Sequence, residues 1–223
     1  AIEQHSKYVE TLKLLGLKVR ILPEKEIFQD STFIEDIALC TPSCAIITRP
    51  GAPSRRDEIS GIHEVLSEYY NKIEKITFPA TLEAGDIMMV DSHYFIGISD
   101  RTNSEGAEQL IEILNKYKMT GSKVSLKKML HLKSGVSYLE KSNMLVSGEL
   151  IENKEFERYN RIRIDEDESY AANSLWINGK VIVPDGFPKT RKKIEKAGYK
   201  TIALNVSEFR KIDGGLSCLS LRF

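Results

Sequence analysis

The chain has 223 residues with 32 basic and 32 acidic side chains, so no global field draws it to nucleic acid or to an anionic lipid surface. That length suits one large domain or two small ones with a substantial core. No apolar run approaches the roughly 18 residues of a membrane span, and the opening residues lack the charged and apolar regions of a signal peptide.

Three cysteines, Cys40, Cys44 and Cys218, form neither an even disulfide framework nor a paired zinc signature. This fits a reducing, cytoplasmic setting. Cys40 and Cys44 read as strand-edge packing residues, with a weak metal pair as the alternative.

In chain order, Tyr8, Val9, Leu12, Leu14 and Leu15 recur at near-helical spacing up to Gly16, and residues 17–22 alternate like a strand before Pro23. In Asp30-Ser-Thr-Phe-Ile-Glu-Asp36, three carboxylates interrupt an apolar segment. Acids beside a buried strand are costly to desolvate without partners. They read either as a solvated loop edge or as a socket matching the planar donors of a guanidinium.

Residues 45–48 form a strand, and a stiff turn then sets Arg55 and Arg56 at the entrance of a helix reaching about Tyr70. Cations at a helix N-terminus oppose its dipole, and an anionic ligand group is one reason to place them there. Residues 87–90 and 94–98 read as a hairpin, followed by Arg101 and by a helix bearing Leu110, Ile111, Ile113 and Leu114. Glu152 to Glu168 is charged and reads as exposed helix and strand.

Asn178-Gly179 marks a second hairpin, followed by a helix over residues 192–197 and a strand over 201–204. Gly214 and Gly215 then free a loop that delivers Cys218, and Leu216, Leu219 and Leu221 read as a short anchoring strand. The unit of hairpin, loop, helix and strand recurs about every 50 residues without a linker, which predicts one α/β domain whose loops meet at a single site.

The residues capable of chemistry are few. His5, His63 and His93 read as solvated, whereas His131 ends an apolar approach and enters a small-residue turn, as a cavity-mouth histidine or a core histidine does. Glu83 and Asp86 flank Gly85 ahead of a strand, either as turn formers or as functional acids. A thiol, an imidazole and a carboxylate at strand-to-loop junctions are the parts of nucleophilic catalysis.

Asp30-Ser-Thr-Phe-Ile-Glu-Asp36, Ile47-Thr-Arg-Pro-Gly-Ala-Pro-Ser-Arg-Arg56, Thr81-Leu-Glu-Ala-Gly-Asp86, Arg101-Thr-Asn, His131-Leu-Lys-Ser134 and Ile212-Asp-Gly-Gly-Leu-Ser-Cys218 resemble, in order, segments of the dimethylarginine dimethylaminohydrolases. The resemblance runs over nearly the whole chain. It implies the pentein fold, a five-bladed α/β-propeller of hairpin, helix and strand units, as one catalytic domain. The first blade is expected to be incomplete, because family members begin with a further strand and a flap.

The resemblance also implies Cys218 as nucleophile, His131 as proton donor and Glu83 as its supporting acid. Glu35 and Asp36 are then expected on the substrate guanidinium, Asp30 on its amino acid end, Arg55 and Arg101 on the α-carboxylate, and the Ile212 carbonyl on the ligand. The implied reaction is hydrolysis of an Nω-methylated arginine to citrulline and an alkylamine through a cysteine thiouronium, with no cofactor and no metal. The partner is the small-molecule substrate, without nucleic acid or membrane, and a homodimer is left open.

An arginine deiminase or amidinotransferase is the alternative within the superfamily, although deiminases usually carry an aspartate where this chain has Lys133. A non-catalytic binding homologue is the alternative outside it. Ala84 stands where the family commonly has glycine.

Overall fold

The computed structural model describes residues 1–223. In chain order the elements are α1 (Ile2–Leu14), β1 (Ala38–Cys40), β2 (Ala45–Ile47), α2 (Ile62–Ser67), β3 (Ile73–Lys75), β4 (Ile87–Val90), β5 (His93–Ile98), α3 (Ser104–Lys116) and β6 (Thr120–Ser125). They continue with β7 (Val136–Tyr138), β8 (Asn143–Val146), β9 (Asn160–Arg163), β10 (Leu175–Ile177), β11 (Lys180–Pro184), α4 (Pro188–Lys196), β12 (Lys200–Leu204) and α5 (Ser207–Arg210).

The strands form four three-stranded sheets of one design. In each, an antiparallel hairpin is followed by a third strand parallel to the hairpin's second. A parallel third strand needs a crossover. Helices α2, α3 and α4 supply it in three sheets, and a run of 3-10 turns supplies it between β8 and β9. The predicted repeat is therefore present, including β7 and β8, which the sequence reading passed over.

The chain resolves into two compact units. One comprises residues 1–23 and 134–217 and carries the sheets β7-β8-β9 and β10-β11-β12. Its core packs Leu139, Leu145, Ile164, Val181, Val183 and Ile194. The other comprises residues 24–133 and 218–223 and carries β1-β2-β3 and β4-β5-β6. Leu82, Ile87, Tyr94, Ile96, Leu110 and Leu114 form its core, with Cys44 among them.

Local sequence explains most boundaries. Asn103 caps α3 by accepting the Gly106 N–H at 2.8 Å, as an N-cap asparagine does, and Leu110, Ile113 and Leu114 face the core. The turn between β10 and β11 places both Asn178 and Gly179 at positive φ, the conformation that Asn-Gly favours.

Three expectations are corrected. Residues 17–22 form no strand, because no neighbouring strand pairs with them. The helix expected after Arg55 is instead a 3-10 segment (Pro53–Ile59) and α2, separated by Gly61 at φ 77°, a left-handed angle that breaks a helix. Residues 216–221 contain a 3-10 turn (Ser217–Leu219) rather than a strand, with Leu216 and Leu219 still buried.

Candidate active site

A buried carboxylate network lies within the unit of residues 24–133 and 218–223. The 3-10 turn Ile34–Ile37 turns Glu35 and Asp36 inward, where both are buried. Thr48 holds this turn by donating its hydroxyl to the Asp36 carbonyl at 2.7 Å. Asp36 Oδ1 accepts the Gly85 N–H at 2.9 Å, and Oδ2 accepts Arg55 Nη1. Gly85 is required for this approach, since a Cβ there would stand 2.7 Å from Asp36 Oδ1 and 2.9 Å from the His131 ring.

Glu83, 1% exposed, binds His131 Nε2 through Oε2 at 2.9 Å and accepts the Ala52 N–H through Oε1 at 3.0 Å. Burial disfavours its charged form, but the bonds from His131 and Ala52 outweigh this and hold the Glu83 pKa below its ordinary value. His131 responds in the opposite sense. Burial opposes its charge, yet the Asp36 carboxylate, the Glu83 bond and Asp86 raise its pKa to about 9, so it is an imidazolium at neutral pH. Ala84 is buried in the core, and the 3-10 turn Ala84–Asp86 forms with alanine in place of the family's glycine.

Arg55 is 6% exposed and directs its donors inward. Nη1 pairs with Asp36, Nε and Nη2 meet Glu58 Oε2 at 3.0 and 2.8 Å, and Nη2 reaches the carbonyls of Phe33 at 3.0 Å and Asp30 at 3.3 Å. Burial lowers its pKa, but Glu58 and Asp36 more than reverse this. The expectation of a carboxylate-binding Arg55 thus meets an arginine already occupied by Asp36, Glu58 and the main chain. Arg101 differs: it is half-buried, and no carboxylate pairs with its guanidinium.

Asp86, completely buried, joins two of these segments. Oδ1 accepts the Leu132 N–H at 2.9 Å, next to His131, and Oδ2 accepts the Ser99 hydroxyl at 2.7 Å. Ser99 Oγ in turn accepts the N–H groups of Arg101 and Thr102 at 3.0 and 3.2 Å. Burial pushes the Asp86 carboxyl up to about 6, although His131 and its hydrogen bonds oppose the shift. In sequence Asp86 reads as a turn former or a functional acid, and nothing marks Glu58.

Cys218, half-buried, lies in the same compact unit as His131, Glu83, Asp36, Arg55 and Arg101. The residues before it belong to the other unit, where Asn173 accepts the Ser217 N–H and donates to Ser217 Oγ, each at 3.0 Å. Positive φ in this loop falls on Asp213, at 60°, rather than on the glycines. Gly215 serves close approach, because a Cβ would stand 2.6 Å from the Asn173 side chain. Ile212 is 54% exposed in that unit, and Asp30 is half-buried with its carbonyl on Arg55.

Asp36, Glu83 and His131 bring ligand-type atoms within 4.8 Å of one another. Each of the three is already engaged within the chain, Asp36 by Arg55 and the Gly85 N–H and Glu83 with His131 by their mutual hydrogen bond. None of the cysteines forms a disulfide. No helix is long and apolar enough to cross a membrane.

A family model described as N,N dimethylarginine dimethylhydrolase, eukaryotic, matches residues 1–219. The N(G),N(G)-dimethylarginine dimethylaminohydrolase of Pseudomonas aeruginosa is 53% identical over 224 residues, covering 100% of this chain and 88% of that protein. Its structure in complex with citrulline, a mutant form, superposes with a TM-score of 0.98 over 100% of this chain and 88% of that one. The N-terminal domain of a cyanobacterial arginine dihydrolase shares the fold at 19% identity, with a TM-score of 0.90 over 100% of this chain and 86% of that one. The fold is that of the penteins, the guanidino-group-modifying superfamily. Within it, the chain belongs to the dimethylarginine dimethylaminohydrolase family.

Proposed function

We propose that the protein hydrolyses an Nω-methylated arginine to citrulline and an alkylamine, with Cys218 as nucleophile. The observation that carries this reading is the buried Glu83–His131 pair beside Asp36, which holds a protonated imidazole next to an acidic wall suited to a cationic head group. The Pseudomonas relative, 53% identical, bears this activity in its name.

The Cys218 thiolate attacks the guanidinium carbon, and Asp36 offsets the substrate's positive charge. His131 gives a proton to the departing amine as the C–N bond breaks, leaving a thiouronium on sulfur. Water then adds to that carbon and yields one proton to His131; the C–S bond breaks to return the thiolate as the citrulline carbonyl forms, and the second water proton leaves on the released amine, which is basic enough to take it. No cofactor takes part in this sequence. With Nε2 committed to Glu83, Nδ1 is the nitrogen that exchanges this proton with the substrate.

Arg101 is assigned to the substrate α-carboxylate and Asp30 to its amino group. Arg55 supports Asp36, a role its occupied donors favour. Lys133 in place of a deiminase aspartate favours a substituted guanidine. A single catalytic domain is part of the same proposal, supported by a family match that runs through both compact units, as is a cytoplasmic setting, supported by three cysteines without a disulfide. Calorimetry with methylated arginines followed by a citrulline assay tests the reading. Binding with product formation is expected, and binding without product would leave a non-catalytic homologue.

A further inference from the structure

Two cations of the chain share Glu35 Oε1. Lys133 Nζ lies at 2.6 Å and Arg222 Nη2 at 3.0 Å, while the Glu35 side chain is only 5% exposed. A buried carboxylate bonded to cations from two other segments ties both of them to its own. It is well disposed to hold chain segments together.

The three segments it joins are informative. Glu35 adjoins Asp36 in the inward turn. Lys133 follows His131 by two residues in the 3-10 turn Leu132–Ser134, and Arg222 follows Cys218 by four. Arg222 is gripped on its own side as well, because Nη1 donates to the Ser220 carbonyl at 3.2 Å and hydroxyl at 2.8 Å. The adjacent Phe223 ring packs on Tyr69 and Tyr70 with centroids 5.0 and 5.4 Å apart. Arg222 is therefore a fixed strut.

We propose that Lys133–Glu35–Arg222 is a positioning bridge that registers the Cys218 segment against the His131 segment, making Arg222 and Lys133 positioning residues for the reaction proposed above, on which this inference rests. Sulfur attack and proton delivery require the two groups to hold a narrow relative geometry, and small displacements cost rate more than binding.

The test compares kcat and KM for an Nω-methylated arginine in the full chain and in Arg222→Met, Arg222→Lys, Lys133→Met and the double Met variant. Each Met variant is expected to lose about tenfold or more in kcat with KM changed by less than about threefold. Arg222→Lys is expected to recover most of the rate. The double variant should fall no further than the worse single, because both cations act through one carboxylate.

Unchanged kcat, losses that simply multiply, or a loss carried by KM would overturn the bridge. Should Arg222→Met fail to fold, Lys133→Met against Lys133→Arg decides on the same criteria. If the unaltered chain makes no citrulline, the functional reading falls, and alkylation of Cys218 by a neutral haloacetamide decides the bridge. The rate should then change in the Met variants and stay put in Arg222→Lys; equal rates in all of them would refute the bridge.

Discussion

Glu83 Oε2 and His131 Nε2 lie 2.9 Å apart, with Glu83 1% and His131 8% exposed, so a charged hydrogen bond is closed off from solvent. Such a bond is stronger than its exposed counterpart, and its loss leaves the imidazole without its closest counter-charge. Glu83→Gln keeps the shape while removing the charge. The His131 pKa should fall from about 9, shifting the alkaline limb of the rate profile to lower pH. A pH–rate profile of this variant checks the shift, and kcat is expected to drop by roughly 10²- to 10⁴-fold.

The same pair makes stability depend on pH. His131 rises from 6.5 to about 9 on folding, so the folded chain holds this proton more tightly than the unfolded one. Its stabilisation is complete below about pH 6.5 and is lost as pH rises through 9, on the order of 3 kcal/mol in all. Denaturant unfolding across this window should show the decline, and His131→Gln should flatten it.

Arg55 and Arg101 should separate by what they cost. Arg55→Ala leaves Asp36 and Glu58 buried without their cation and is expected to destabilise the fold by about 3–5 kcal/mol. Arg101→Ala breaks no ion pair and should leave stability within about 0.5 kcal/mol, while raising KM by roughly 10- to 100-fold through loss of a charged hydrogen bond to substrate. Chemical denaturation and steady-state kinetics on both variants distinguish the two roles.

Gly85→Ala drives a methyl group to 2.7 Å from Asp36 Oδ1 and 2.9 Å from the His131 ring. Neither neighbour is the loose end of a flexible chain. A destabilisation of about 1–3 kcal/mol is expected from the overpacking, with a larger loss of kcat because His131 moves. Thermal unfolding and turnover measured together check this.

What the sequence disclosed follows from how local each signal is. Helix α3 carries its own periodicity and cap, and the β10–β11 hairpin carries Asn178-Gly179, so neighbours within a few residues announce both. The β7–β8 hairpin went unread because its turn runs through Glu140, Lys141 and Ser142, all at positive φ without a glycine to mark it. At the site, Glu83, Asp36 and His131 stood out as acids and an imidazole at strand ends, and they meet. Glu58 and Asn173 are ordinary polar residues in sequence. Only the fold shows that one completes the Arg55 cage and the other pins the residue before Cys218. Arg55 itself drew notice for opposing a helix dipole, but the segment it opens is a 3-10 turn and its charge is answered from within.

Covalent catalysis by Cys218 is tested most directly by rapidly quenching the protein with an Nω-methylated arginine and weighing the intact chain. The account predicts a transient adduct on Cys218 with the mass of the substrate less its alkylamine, and neither adduct nor citrulline from Cys218→Ser. Citrulline formed at an undiminished rate by Cys218→Ser would contradict it.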